Sequence, residues 1–433
     1  MIARLVVSDL LLHWRLWVGA FAVLSAGALI ALVCAGDLST ARAMPPGPHQ
    51  AALLNHAMIY STMNGLVVVG SLSVVVRFVV KLQRPSHALW RIAGLGPGTV
   101  ARVVVMQTLL LAIAALSVAV AVAPALVGLV LNDLTAPLRA PGAEPYTIVI
   151  TADTSAIAAL AFLVVVFVTA TFASVEARRV PLLLAVRSEE SDAPGAGRSR
   201  WRLVVAIGFA VLGAAMITAL LLGDRGISGL FPVPIIALAV TIAPWIVGPV
   251  TTAWTRVVPP LASTTWYLAR RSAAHQLARS HATTTMLSLA IMLGGFTGGM
   301  GLWSDPRSAQ VAIAVFGAPV AIVLITAGVT VFMTFLDRRR EAALLVVGGA
   351  TFGAALVVAV LESLICAGTA AIIGLVALVP AMIVPFAGEP WHSVLVPVPA
   401  VLAVGCVVLL AATAAPVVAA SRQPLAEGVR AAV

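Results

Sequence analysis

Asp337-Arg338-Arg339-Arg340-Glu341 is followed by Ala342-Ala343-Leu344-Leu345-Val346-Val347, by Gly348-Gly349-Ala350, and then by an apolar run from Phe352 to Val384. A charged segment, a glycine break and a long apolar run thus stand in immediate succession. A helix rises about 1.5 Å per residue, so about 20 apolar residues cross a bilayer core of about 30 Å. The run from Phe352 exceeds that length, which implies tilt or extension beyond the hydrocarbon. One carboxylate, Glu362, stands well inside it. Charge at that depth is costly and marks a site of interest.

The rest of the chain has the same character. Of 433 residues 61% are hydrophobic and 10% charged, and the mean hydropathy is +1.09. Soluble domains carry roughly 25% charged residues. A transmembrane barrel would show strands of about ten residues with alternating polarity, whereas the apolar runs here suit helices. The fold expected is an all-α, polytopic membrane protein.

Ten spans are expected, near Trp14–Cys34, Leu53–Val80, Ala101–Leu131, Ser155–Val175, Leu203–Leu222, Leu230–Val250, Thr284–Trp303, Val311–Phe335, Phe352–Val384 and Val398–Ala420. With both termini in the cytosol, Lys81, Arg84, Arg91, Arg178, Arg179, Arg187, Arg256, Arg270, Arg271, Arg338, Arg339 and Arg340 all fall on the cytosolic side. Only Arg42, Arg139, Arg225 and Arg307 fall opposite. That bias is the positive-inside rule. It accounts for the net charge of +10 without nucleic acid, which is not an expected partner.

An internal repeat organises the chain. Ala88-Leu-Trp-Arg-Ile-Ala-Gly94 aligns with Ala343-Leu-Leu-Val-Val-Gly-Gly349 at an offset of 255. Thirteen positions after each glycine stands a polar residue inside a span, Gln107 and Glu362. Arg179-Val-Pro181-Leu182 with Arg187 aligns with Arg422-Gln-Pro424-Leu425 with Arg430 at an offset of 243. The halves read as 1–187 and 266–433, each with an amphipathic lead-in (Met1–His13 and Trp266–Thr283) and four spans. Residues 188–265 form a linker and a two-span insert. The repeat favours a retained first span over a signal peptide cleaved near Ala41-Arg42-Ala43.

Several chemistries find no support. There is no GxxxxGK[ST] phosphate loop, HExxH or GxSxG, and the seven histidines lack ligand spacing. Cys34, Cys366 and Cys406 stand in separate apolar runs, as small core or lipid-facing residues. No catalytic or metal site is expected. Arg77 and Arg102, near span ends, read as snorkelling cations. Glu362 reads as helix–helix glue or as a substrate- or proton-handling group, and Gln107 at the matching position favours glue.

The basic elbow, the apolar run ending in Gly94-Leu-Gly96 or Gly348-Gly349-Ala350, the polar residue thirteen on and the closing Arg-x-Pro-Leu…Arg resemble the FtsX-like permease domain of the MacB-type ABC transporters. The resemblance covers about 1–187 and 266–430, and two such domains with ten spans resemble bacitracin-resistance-type permeases. It implies a permease partnered with a separate cytosolic ATPase that hydrolyses ATP-Mg, two copies per chain, in a bacterial cytoplasmic membrane. The elbows 81–98 and 336–351 would meet that ATPase through Arg84, Arg91, Gly94, Arg338, Arg339, Arg340, Glu341 and Gly349. Relatives usually carry a large extracytoplasmic domain, whereas here the corresponding loops are only about Ala35–Ala52 and Ser304–Ala312. A hydrophobic compound, antibiotic or lipid taken from the membrane is the expected substrate. A signalling permease acting on a cell-envelope partner, and an ion-coupled secondary transporter, are the alternatives.

Overall fold

A computed structural model describes residues 2–128, 147–178, 200–222, 232–257, 263–275, 277–299, 306–383 and 391–421. Among them every regular element is a helix. In chain order these are α1 (Ile2–Leu12), α2 (Trp14–Ala43), α3 (Pro48–Leu82), α4 (Arg84–Ile92), α5 (Pro97–Leu126), α6 (Ala152–Arg178), α7 (Arg200–Leu221), α8 (Pro232–Thr255), α9 (Thr264–His275), α10 (Leu277–Gly299), α11 (Pro306–Met333), α12 (Phe335–Val347), α13 (Phe352–Ile383) and α14 (Val398–Ser421). A 3₁₀ turn, Trp391–Leu395, precedes α14. Proline opens the first turn of α3 and α5, where its fixed φ suits a helix start and its missing N–H costs nothing.

Nine of the described helices are long and apolar enough to cross a membrane, the segments being Leu16–Ala43, Leu53–Leu82, Pro97–Leu126, Ala152–Val175, Leu203–Leu220, Pro232–Thr255, Phe316–Met333, Phe352–Pro380 and His392–Val418. The chain is therefore a polytopic all-α membrane protein. The remaining expected span, 284–303, lies largely in α10, which has the length but is less apolar. The reason is packing: Thr283 through Gly299 are buried within protein, so threonine and glycine stand where lipid-facing helices carry valine and leucine. The expected loop Ala35–Ala52 is also shorter than read. Helix continues to Ala43 and resumes at Pro48, leaving four residues between α2 and α3. The linker 188–199 and both Arg-x-Pro-Leu tails lie outside the described residues.

The chain divides into two compact units, Met1–Ala193 with Leu302–Ile322, and Pro194–Gly301 with Val323–Val433. In the first, α2 packs against α3, α5 and α6. Gly27 makes this possible, because a Cβ there would stand 3.2 Å from Val68 and 3.4 Å from Phe162. Val76, Val80, Val104 and Ala173 form a buried cluster where α3, α5 and α6 meet. Outward, α6 exposes Ile157, Leu160 and Phe172, a face that only lipid accommodates without cost.

In the second unit α10 is the centre, with Leu287, Ile291, Met292 and Phe296 fully buried. It packs on α8, α13, α14 and the 3₁₀ turn. Small residues mark each approach: Cβ atoms added at Gly374 and Gly294 would stand 2.8 Å from Ile291 and Val401. Gly298 meets the backbone carbonyl of Ser393 in the same way. Close backbone approach through small residues is how helices associate where lipid removes the hydrophobic drive.

Candidate functional site

Two helical elbows share one backbone construction. At the first, α4 ends at Ile92; Gly94 donates its N–H to Arg91 at 3.1 Å and Leu95 to Trp90 at 3.0 Å. At the second, Gly349 donates to Val346 and Ala350 to Leu345, both at 3.0 Å. These are the paired bonds of a Schellman helix end, which requires a left-handed residue. Gly94 has φ +94° and Gly349 φ +95°, so each glycine is there for its missing Cβ. Each elbow also exposes an apolar pair one turn apart, Leu89 with Ile92 and Leu344 with Val347, all more than half exposed.

Behind each elbow lies a buried polar node that ties three helical elements together. In the first unit Asp9 of α1 is buried and accepts from Gln107 Nε2 of α5 at 2.8 Å and from Gln83 Nε2 at 3.4 Å. Gln83 is the residue joining α3 to α4. His13 Nδ1 lies 3.0 Å from Asp9 Oδ1. His87 of α4 is fully buried beside them, its two ring nitrogens without hydrogen-bond partners among the described residues. Burial pushes its imidazole down to about 4; the nearby Asp9 charge opposes that shift and His13 adds to it. His87 is therefore neutral near pH 7.

In the second unit Arg338 of α12 donates Nη1–H to Glu362 Oε2 of α13 at 2.9 Å. The Ser272 hydroxyl of α9 also bonds Glu362, and Glu341 acts on it electrostatically. Arg338 and Gln83 are 255 positions apart, as are Glu362 and Gln107, the spacing that relates Gly349 to Gly94. Each node thus joins a helix preceding the bundle, an elbow and a span. In the second the carboxylate sits on the span, whereas in the first α1 brings it from outside.

The sequence-predicted residues separate by position. Gln107 is fully buried and Glu362 nearly so; Arg77 is half-buried, and Arg102 is exposed with its Nε–H 3.4 Å from the Gly98 carbonyl. Gly94, Gly349 and the partly exposed Arg84, Arg91 and Glu341 lie on the elbows. Arg338 turns inward to Glu362, its side chain 13% exposed. The side chains of Arg339 and Arg340 lie outside the described set. Sequence reading passed over Asp9, Gln83, His87 and Ser272. The signal for Asp9 was present, a lone carboxylate in an amphipathic lead-in, four residues before a histidine.

Among the described residues no group of three or more His, Cys, Asp and Glu converges to hold a metal. The fold and its buried polar nodes define the class as a multi-pass α-helical membrane protein. No family model matches the chain, and a search of curated proteins found no match either.

Proposed function

We propose that the chain is the membrane permease subunit of an ABC transporter, extracting or exporting a hydrophobic compound, antibiotic or lipid with energy from a separate cytosolic ATPase. The carrying observation is the pair of elbows. Each is a short helix with basic residues on its sequence and an exposed apolar pair, closed by a left-handed glycine and leading directly into a span. On this reading the elbows face the cytosol, as the positive-inside distribution implies, and each receives one copy of the ATPase.

The nodes give the elbows something to act on. A displaced α12 takes Arg338 with it, and Arg338 holds Glu362 on α13. A displaced α4 moves Gln83, which with Gln107 holds Asp9. Movement at the elbow therefore reaches the span through a buried bond. The internal repeat of four-span halves belongs to the same proposal, supported by matching Schellman ends and matching node positions. With four residues between α2 and α3, little projects there, which favours a substrate drawn from the bilayer.

Affinity purification of the tagged chain from its native membrane tests the proposal. Recovery of a stoichiometric subunit with a Walker phosphate loop supports it. Repeated recovery without any such ATPase overturns it.

A further inference from the structure

A small cavity in the second unit is lined by Thr283 of α10, Thr330 of α11, Thr334 at the α11–α12 junction, Arg338 of α12, Ser363 and Cys366 of α13, and Thr413 of α14. Its volume is about 20 Å³, which fits one water, since about 10–15 Å³ suffices. We propose that it is a water-binding site built into the Arg338–Glu362 node.

The hydrogen-bond inventory selects the ligand. A hydroxyl has one hydrogen and two lone pairs. Thr330 donates to the Ala327 carbonyl at 2.8 Å and Thr334 to Val331 at 2.7 Å. Ser363 and Thr413 lie 2.8 Å apart, so one of their two hydrogens fills that bond and the other goes to a main-chain carbonyl, Ala359 at 3.0 Å or Leu409 at 2.9 Å. Thr283 lies 3.0 Å from Thr330, whose hydrogen is already committed, so Thr283 supplies that bond. The lining hydroxyls therefore offer lone pairs. Arg338 offers the opposite: its Nε–H is buried with no partner among the described residues. A ligand must accept from one N–H and donate to hydroxyl oxygens. Water does both.

Charge excludes the other small candidates. An anion would find the guanidinium already matched by Glu362 and would face lone pairs. A metal cation would face Arg338. A neutral, amphoteric molecule of this size satisfies the buried N–H, which otherwise costs free energy. It also gives Arg338 a second partner beside Glu362, so the guanidinium can shift without losing every bond at once. This inference does not depend on the transporter reading.

X-ray radiolysis of the full chain in lipid nanodiscs, after transfer into H₂¹⁸O, tests it, because hydroxyl radicals form at ordered water and oxidise adjacent side chains. Cys366 lines the cavity and is partly exposed; Cys406, equally partly exposed and outside the lining, serves as the reference. The expected result is oxidation of Cys366 severalfold above Cys406, with ¹⁸O incorporated. Oxidation should fall to the Cys406 level in Thr334→Val/Thr413→Val, which keeps shape and removes two acceptors. Wild-type Cys366 oxidised no faster than Cys406 overturns the proposal, as does oxidation unchanged by the valines. If the double variant fails to insert, the wild-type comparison decides alone.

Discussion

Arg338 of α12 holds Glu362 of α13 across 2.9 Å, so the charge that precedes the span in sequence folds back onto the charge within it. Removing one member of a buried pair costs about 3–5 kcal/mol, because the other is left buried and uncompensated. Arg338→Met and Glu362→Leu should each destabilise the protein in that range. The double variant should lose less than the sum of the two, since no charge is stranded. A double-mutant cycle on thermal unfolding in detergent reads this directly. Strictly additive losses would show that the pair is not coupled.

Asp9 accepts from both Gln83 Nε2 and Gln107 Nε2, and so holds α1 against α5 and the α3–α4 junction. Hydrogen bonds to charged groups contribute about 1.5–3 kcal/mol, so Asp9→Leu should release α1. Val6 is fully buried on that helix. A Val6→Cys reporter should react slowly with a maleimide in the parent and severalfold faster beside Asp9→Leu. Equal rates would mean that apolar contacts alone hold α1.

His87 makes the first node acid-sensitive. Its pKa is depressed to about 4 from an unfolded value near 6.5, so the unfolded chain binds the proton first. The stability this contributes is fully present above about pH 6.5 and is lost as pH falls towards about 4. Integrated over that window the loss is on the order of 3 kcal/mol. His87→Phe should flatten the fall in unfolding temperature between those values. An unaltered pH profile would place the sensitivity elsewhere.

Gly94 and Gly349, at φ +94° and +95°, should resist substitution despite open space around them. A side chain in left-handed backbone costs roughly 1–2 kcal/mol. Gly94→Ala and Gly349→Ala should each lower stability by about that amount. Gly96→Ala should not, because Gly96 has φ −65°. Equal tolerance at all three positions would contradict the Schellman assignment.

Much of this was legible in the sequence, for reasons that differ residue by residue. Span length and hydropathy locate α2, α3, α5 and α13 because lipid dictates both. Gly94 and Gly349 were visible because a glycine after an amphipathic run marks a helix end. Gln107 and Glu362 were visible because polarity inside a span is rare. Arg338 was expected outward with Arg339 and Arg340, since charge composition does not report helical phase; the turn at Thr334 decides that phase. Asp9 was missed because its partners lie 74 and 98 positions away. The weak apolarity of α10 has a tertiary origin, as protein rather than lipid surrounds it.

The most direct measurement of the proposed coupling is photo-crosslinking from the elbows in native membranes. A photoreactive residue would replace Leu89 or Leu344, both more than half exposed, with Met58, an exposed residue of α3, as the control position. Crosslinks from both elbows, and not from Met58, to a soluble polypeptide bearing a Walker phosphate loop are the predicted result. Crosslinks from Leu89 and Leu344 to lipid alone would contradict the account.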